Sequence, residues 1–230
     1  MAGKDAPALQ TSVVPHGCAL PQDLFPAFSR DFGRVAPLEL EIGPGRGGFA
    51  LGHAAAHPEI DLICVETRRS DCELIRARAA RRGLTNVMVL QGDAKLLIAR
   101  LFAPASLSAV YVHFPDPWWK KRHNKRRMVD VELAARMRVL LVRGGMVDFR
   151  TDVRAYAEAA IATWEEAGFT NESGAGRMSS AAPEVLSTRE LRYERTGQPV
   201  YRARFVNPGP PGAEMRFTRS GREWTDVRRK

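Results

Sequence analysis

The chain has 230 residues, enough for one sizeable core and too few for two generous domains. Hydrophobic residues make up 44% and charged residues 27%, an ordinary globular balance, and no apolar run approaches membrane-spanning length. The excess of 35 Lys and Arg over 26 Asp and Glu gives a net charge of +9 and points to a polyanionic partner, nucleic acid or an anionic membrane surface.

Residues 1–36 are rich in Pro, Ala and polar side chains without periodicity, and read as an irregular N-terminal arm. This arm lacks the compact apolar stretch of a signal peptide. From residue 37 strands and helices alternate. "PLELEIG" is a strand ending at Gly43, "GFALGHAAAH" a helix, and "IDLICVE" the next strand. Ser70 and Glu73 have capping-box spacing and open a helix that runs to Arg82. "NVMVLQGD" and "LSAVYVHF" are the third and fourth strands. Leu133, Met137 and Leu140 mark one face of a helix that stops at Gly144 and Gly145. "GMVDFR" is a fifth strand, Val153, Tyr156, Ile161 and Trp164 line a further helix, and "PVYRARFV" is a late strand closing one edge. This alternation predicts an α/β domain over residues 37–207: a doubly wound, mostly parallel, Rossmann-like sheet with helices on both faces. Residues 208–230, proline-rich and then basic, read as a flexible tail. Cys18, Cys64 and Cys72 show no CxxC spacing and cannot all pair, which fits a reducing cytoplasm.

"LEIGPGRGGF" places Gly43, Gly45 and Gly48 in G-x-G-x-x-G spacing between a strand and a helix. Such glycines let the backbone approach a ligand at the helix N-terminus. Glu66 ends the second strand about 20 residues on, where a carboxylate accepts both hydroxyls of a ribose. These features suit NAD and S-adenosylmethionine alike. Glu41, directly before the loop, would repel a pyrophosphate but suits the cationic methionine end of S-adenosylmethionine. Asp93, after the third strand, is placed for an adenine amino group. The chain shows no Tyr-x-x-x-Lys or comparable hydride-transfer pair. The plain alternative is an empty Rossmann-type turn with surface acids.

"FPDPWWKKRHNKRR" follows the fourth strand and leaves the carboxyl edge of the sheet, where ligands of open α/β sheets bind. Asp116, between Pro115 and Pro117, is held stiffly beside the cofactor site. Trp118 offers a flat face to an unstacked base, whereas Trp119 reads equally as a core residue. Lys120, Lys121, Arg122, Lys125, Arg126 and Arg127 are suited to grip phosphates without reading sequence. No second His or Cys stands at metal-ligand spacing from His123, so no metal is expected.

"LEIGPGRGGF", "FPDPWWKKRHNKRR", "RTDVRAYAE" and "STRELRYERTGQPVYRARF", in this order, resemble the bacterial tRNA (guanine-N7)-methyltransferase family. The resemblance spans roughly residues 37–205, and the P-D-P-W…K-x-R-H-x-K-R-R segment is its most specific part. It implies a methyltransferase fold, and methyl transfer from S-adenosylmethionine to N7 of a guanosine in the variable loop of tRNA. Glu41, Gly43, Gly45, Glu66 and Asp93 would hold the cofactor, and Asp116 would be catalytic while also reaching it. Lys120 and Asp152 would contact tRNA, joined on the substrate side by Trp118, Arg122, Arg126, Ser187 and Glu190. The family's T-x-x-E motif falls on Ser187 and Glu190, with serine in place of threonine but the hydroxyl kept. Asp152 also reads as a cap for a helix beginning near Val153. Two rivals stand beside this reading. One is a nucleic-acid amino-group methyltransferase, since D-P-W-W is related in form to D-P-P-W. The other is a non-catalytic RNA-binding protein on a vestigial cofactor fold. Monomer and homodimer are equally compatible with the sequence.

Overall fold

The computed structural model describes residues 27–117, 127–209, 213–218 and 221–226. Its main sheet has seven strands: β1 (Leu38–Ile42), β2 (Asp61–Glu66), β3 (Val87–Gln91), β4 (Leu107–His113), β5 (Leu141–Thr151), β6 (Thr170–Asn171) and β7 (Tyr201–Val206). They lie in the order β3-β2-β1-β4-β5-β7-β6. The first five in that order are mutually parallel, β7 is antiparallel to β5, and β6 is antiparallel to β7. The helices are α1 (Ala27–Phe32), α2 (Gly48–Ala56), α3 (Arg69–Arg81), α4 (Ala94–Leu101), α5 (Val131–Leu140), α6 (Arg154–Glu166) and α7 (Thr188–Thr196).

All six residues of β2 are buried, as expected for a central parallel strand covered on both faces. Ile63 and Val65 point into one core with Leu40, Val110, Phe149 and Trp164 of α6. Leu62 and Cys64 point into another with Phe49 and Leu51 of α2 and Ile75 of α3. Two cores on opposite faces of one sheet make the domain doubly wound, in agreement with the alternation of the sequence. Cys64 and Cys72 are both buried, free thiols.

The register adds a polar layer to the α2 face. Glu41 pairs with Tyr111, Tyr111 with Asp148, and His113 with Arg150. Side chains alternate along a strand, so Glu39, Glu41, Tyr111, His113, Asp148 and Arg150 share one side of the sheet. All six are buried.

Several boundaries depart from the sequence reading. Ser70 does not cap α3: Arg68 is the N-cap and makes no side-chain cap bond. The turn is closed instead by Glu66, whose Oε1 accepts the Arg68 N–H at 2.9 Å. Helix α5 ends at Leu140 rather than at the glycines, and Leu141 runs directly into β5. Gly144, with φ +78°, lets β5 bulge there while its N–H donates to Asn207 O at 2.8 Å. Strand β7 is not the edge, because β6 pairs beyond it. The end of the arm is ordered: Phe28 of α1 stacks on Phe102, and Arg34 donates to Asp61 Oδ1 at 2.8 Å and Ile60 O at 2.6 Å. Within the segment read as a flexible tail, β8 (Ala213–Thr218) and β9 (Gly221–Asp226) form an antiparallel hairpin.

Candidate active site

The crossovers after β1 and β4 leave on opposite sides of the sheet, which opens a crevice at the carboxyl ends of these neighbours. Two adjoining cavities occupy it. The larger, ≈ 500 Å³, is lined among others by Gly43, Glu66, Asp93, His113 and Asp116. The smaller, ≈ 360 Å³, is lined by Glu41, Gly45, Phe49, Ser187, Thr188 and Arg189.

The glycine loop is built for two approaches. Gly45 has φ +54°, a conformation that costs other residues strain, and nothing stands within 4 Å of where its Cβ would be. Gly48 serves packing: a Cβ there would lie 2.1 Å from Thr188 Oγ1, so its absence admits the start of α7 against the loop. Glu66 ties the loop to β2. Its Oε2 accepts the Gly45 N–H at 3.1 Å and its Oε1 accepts the Thr67 hydroxyl at 3.0 Å. Asp93 caps α4 by accepting the Lys95 N–H at 2.8 Å and stands exposed at the cavity rim.

Glu41 is 2% exposed, and its Oε2 has no hydrogen-bond partner. Burial pushes its carboxyl up to about 8, with Arg150 pulling down and Glu66 pushing further up. A buried acid with an unsatisfied oxygen at a cavity wall calls for a donor, and a cation is the strongest available. The α-ammonium of S-adenosylmethionine meets that need, so this residue set fits the cofactor.

Asp116 is aimed by an unusual turn. Phe114 adopts φ +50°, outside the regions normally open to an aromatic residue. Its N–H donates to Arg150 O at 2.7 Å, its ring meets Tyr193 edge-on at 5.9 Å, and the Arg189 guanidinium lies 5.3 Å from the ring centroid. Such a left-handed residue costs about 1–2 kcal/mol and is kept because these contacts determine it. The turn carries Pro115 and Asp116 to the wall of the larger cavity, where Asp116 is exposed.

Helix α7 is held over this crevice by buried charge. Ser187 and Glu190 form the capping box whose spacing Ser70 and Glu73 merely imitate. Glu190 is 0% exposed. Its Oε2 takes the Ser187 N–H at 2.9 Å and Arg150 at 2.8 Å, and its Oε1 takes Arg202 at 3.1 Å. Burial alone would raise the Glu190 carboxyl, but Arg150 and the Ser187 N–H outweigh it and lower the group. Arg150 also binds Asp148 at 2.8 Å. Burial opposes ionisation of Asp148 too, yet the His113 hydrogen bond and Arg150 hold it well below the usual carboxylate range. Arg150→Met would leave both acids short of their shared cation. The expected loss of stability is about 3 kcal/mol or more, read as a lowered urea midpoint at unchanged slope.

Asp152 is not a helix cap: α6 begins at Arg154 with Val153 as N-cap, without a side-chain cap bond. Its Oδ2 instead accepts the Tyr193 hydroxyl at 2.6 Å. Trp118, Lys120, Arg122 and Arg126 lie outside the described residues, as do Trp119, Lys121, His123 and Lys125. Arg127 donates to Pro117 O at 3.2 Å and sits 5.3 Å from the Tyr156 ring centroid, packed on the domain. Among the described residues there is no cluster of three His, Cys, Asp or Glu able to hold a metal, and no helix long and apolar enough to cross a membrane. His113, Arg150, Thr188 and Arg189 were not singled out by the sequence. The one available signal was the charged alternation Asp148-Phe149-Arg150 inside the segment read as the fifth strand.

A family model described as "Putative methyltransferase" matches residues 35–203. A tRNA (guanine-N(7)-)-methyltransferase of Anaeromyxobacter dehalogenans is 53% identical over 187 residues, covering 80% of this chain and 93% of that protein. The protein of the same name from Myxococcus xanthus is 42% identical, covering 81% and 91%. Among solved structures, the 16S rRNA methyltransferase KamB superposes with a TM-score of 0.58 at 17% identity, over 83% of this chain and 96% of that one, a likeness of fold. The matched residues take in the glycine loop, the turn that carries Asp116 and the Ser187–Glu190 clasp, and this chain belongs to the tRNA (guanine-N7)-methyltransferase family.

Proposed function

We propose that this chain transfers the methyl group of S-adenosylmethionine to N7 of a guanosine in the variable loop of tRNA, acting in the cytoplasm with Asp116 as the catalytic residue. The observation that carries the site assignment is the placement of Asp116, on a strained turn, at the cavity that Glu66 and Asp93 line. S-Adenosylmethionine supplies a methyl group on a sulfonium. Glu41 and the glycine loop would hold its methionine end, Glu66 its ribose and Asp93 its adenine. N7 of guanine has an unshared pair at neutral pH, so no residue has to remove a proton first. When bound, the cofactor would supply the methyl to N7, its C–S bond breaking as the C–N7 bond forms, so that positive charge would pass from sulfur to the base. Asp116 accepts from N1 and N2 of the guanine, which aligns N7, and it stabilises the charge arriving on the ring.

Contacts to the RNA are assigned to Trp118, Lys120, Arg122, Arg126 and Asp152. Both oxygens of Glu190 are engaged within the protein. Through that clasp Glu190 and Ser187 hold Thr188 and Arg189 at the crevice, on the substrate side.

The test uses tRNA carrying 7-deazaguanosine at the target position. The analogue keeps the Watson–Crick edge, stacking face and phosphates, and loses only the nucleophilic nitrogen. The expected result is normal tRNA binding without methyl incorporation, beside 7-methylguanosine formation in the natural tRNA. Incorporation into the analogue would instead establish amino-group methylation.

A further inference from the structure

Two buried polar atoms at the crevice have no hydrogen-bond partner: Glu41 Oε2 and His113 Nδ1. His113 is 7% exposed, and it lines both cavities. Its Nε2 stands 2.9 Å from Asp148 Oδ1. Asp148 is ionised by its contacts with Arg150 and Arg204, so it only accepts, and the proton of a neutral ring must sit on Nε2. Burial keeps the ring neutral against the pull of Asp148. Nδ1 is then a bare lone pair. The bond to Asp148 fixes the ring's orientation, and Phe49 packs on it edge-on at 4.5 Å beside Tyr111 at 5.8 Å.

His113 stands two residues beyond Tyr111, the register partner of Glu41. The two orphan acceptors therefore project from neighbouring strands onto the same side of the sheet, and both line the smaller cavity. A single group with several N–H donors and a positive charge answers both. We propose that His113 is a cofactor-binding residue whose Nδ1, together with the Glu41 carboxylate, accepts hydrogen bonds from the α-ammonium of S-adenosylmethionine. Asp148 is then a positioning residue, setting the tautomer that makes Nδ1 an acceptor. The inference rests on the assignment of Glu41 to the methionine end.

The test compares equilibrium binding of S-adenosylhomocysteine with that of methylthioadenosine, which has the nucleoside and sulfur but no amino-acid group. His113→Phe is expected to weaken S-adenosylhomocysteine about tenfold, the scale of one hydrogen bond to a charged group, and to leave methylthioadenosine within about twofold. His113→Asn, which restores an acceptor oxygen, is expected to keep most of the affinity. Unchanged S-adenosylhomocysteine binding in the Phe variant, parallel weakening of both ligands, or a folded Asn variant as weak as the Phe variant would each overturn the proposal. Glu41→Gln separates the two levels. If it weakens binding while His113→Phe does not, only the role of His113 fails. If neither does, the assignment of Glu41 fails with it.

Discussion

Asp116→Ala is expected to lower the turnover of methyl transfer by about 10³-fold or more while leaving the fold intact. Removing one preorganised electrostatic group typically costs about 10²–10³ in kcat, and here the same residue also aligns the base. Stability should barely move, because Asp116 is exposed and forms no ion pair among the described residues. Affinity for tRNA should also survive, since the cationic segment that follows is untouched. Asp116→Asn divides the two contributions: it keeps an acceptor oxygen for orientation and removes the charge. A single-turnover rate in Asn close to Ala would assign the effect to charge, and a rate close to wild type would assign it to orientation. Near-normal turnover in the Ala variant would remove Asp116 from the mechanism.

Glu41→Gln is expected to weaken S-adenosylmethionine binding about 100-fold and at the same time to stabilise the ligand-free protein at alkaline pH. The Glu41 carboxyl is raised from 4.5 to about 8 by burial, so the folded state binds its proton more tightly than the unfolded chain does. Its contribution to stability is fully present below pH 4.5 and is lost as pH rises towards 8. Gln carries no such loss. The variant should match wild type near pH 4 and exceed it by roughly 4 kcal/mol near pH 8. Binding moves the other way. The ion pair needs the carboxylate and the ammonium together, so wild-type cofactor affinity should climb as pH rises from 6 towards 8, by up to about tenfold per unit, and fall again above that as the α-ammonium loses its proton. A flat affinity profile in wild type, or a Gln variant that binds normally, would exclude Glu41 from the ammonium site. A substitution that strengthens the fold and weakens binding marks an acid kept for function at the expense of stability.

The strand–helix alternation, the glycine loop, Glu66 at the end of β2 and Asp116 after β4 were all legible in the sequence, because each depends on local order along one segment. Periodicity alone predicts which segments are strands, and an open parallel sheet then places their carboxyl ends at one edge. Family membership was legible for the same reason, through short motifs in a set order. What one segment cannot contain is its neighbours. Ser70-x-x-Glu73 and Ser187-x-x-Glu190 are equivalent as text, yet only the second is a capping box. Glu66 already closes the turn before α3, whereas Arg150 and Arg202, distant in sequence, hold Glu190 in place. The acids of "LELEIG" alternate with apolar residues and so resemble a strand with one wet face. Packing of α2 over that face puts His53 on Glu39 at 2.6 Å and leaves Glu41 buried with one oxygen that has no partner. Tertiary structure decided these roles because burial and the pairing of buried charge are properties of the assembled layers: a carboxylate is a solvated surface group or a ligand-binding acid according to what other segments place above it.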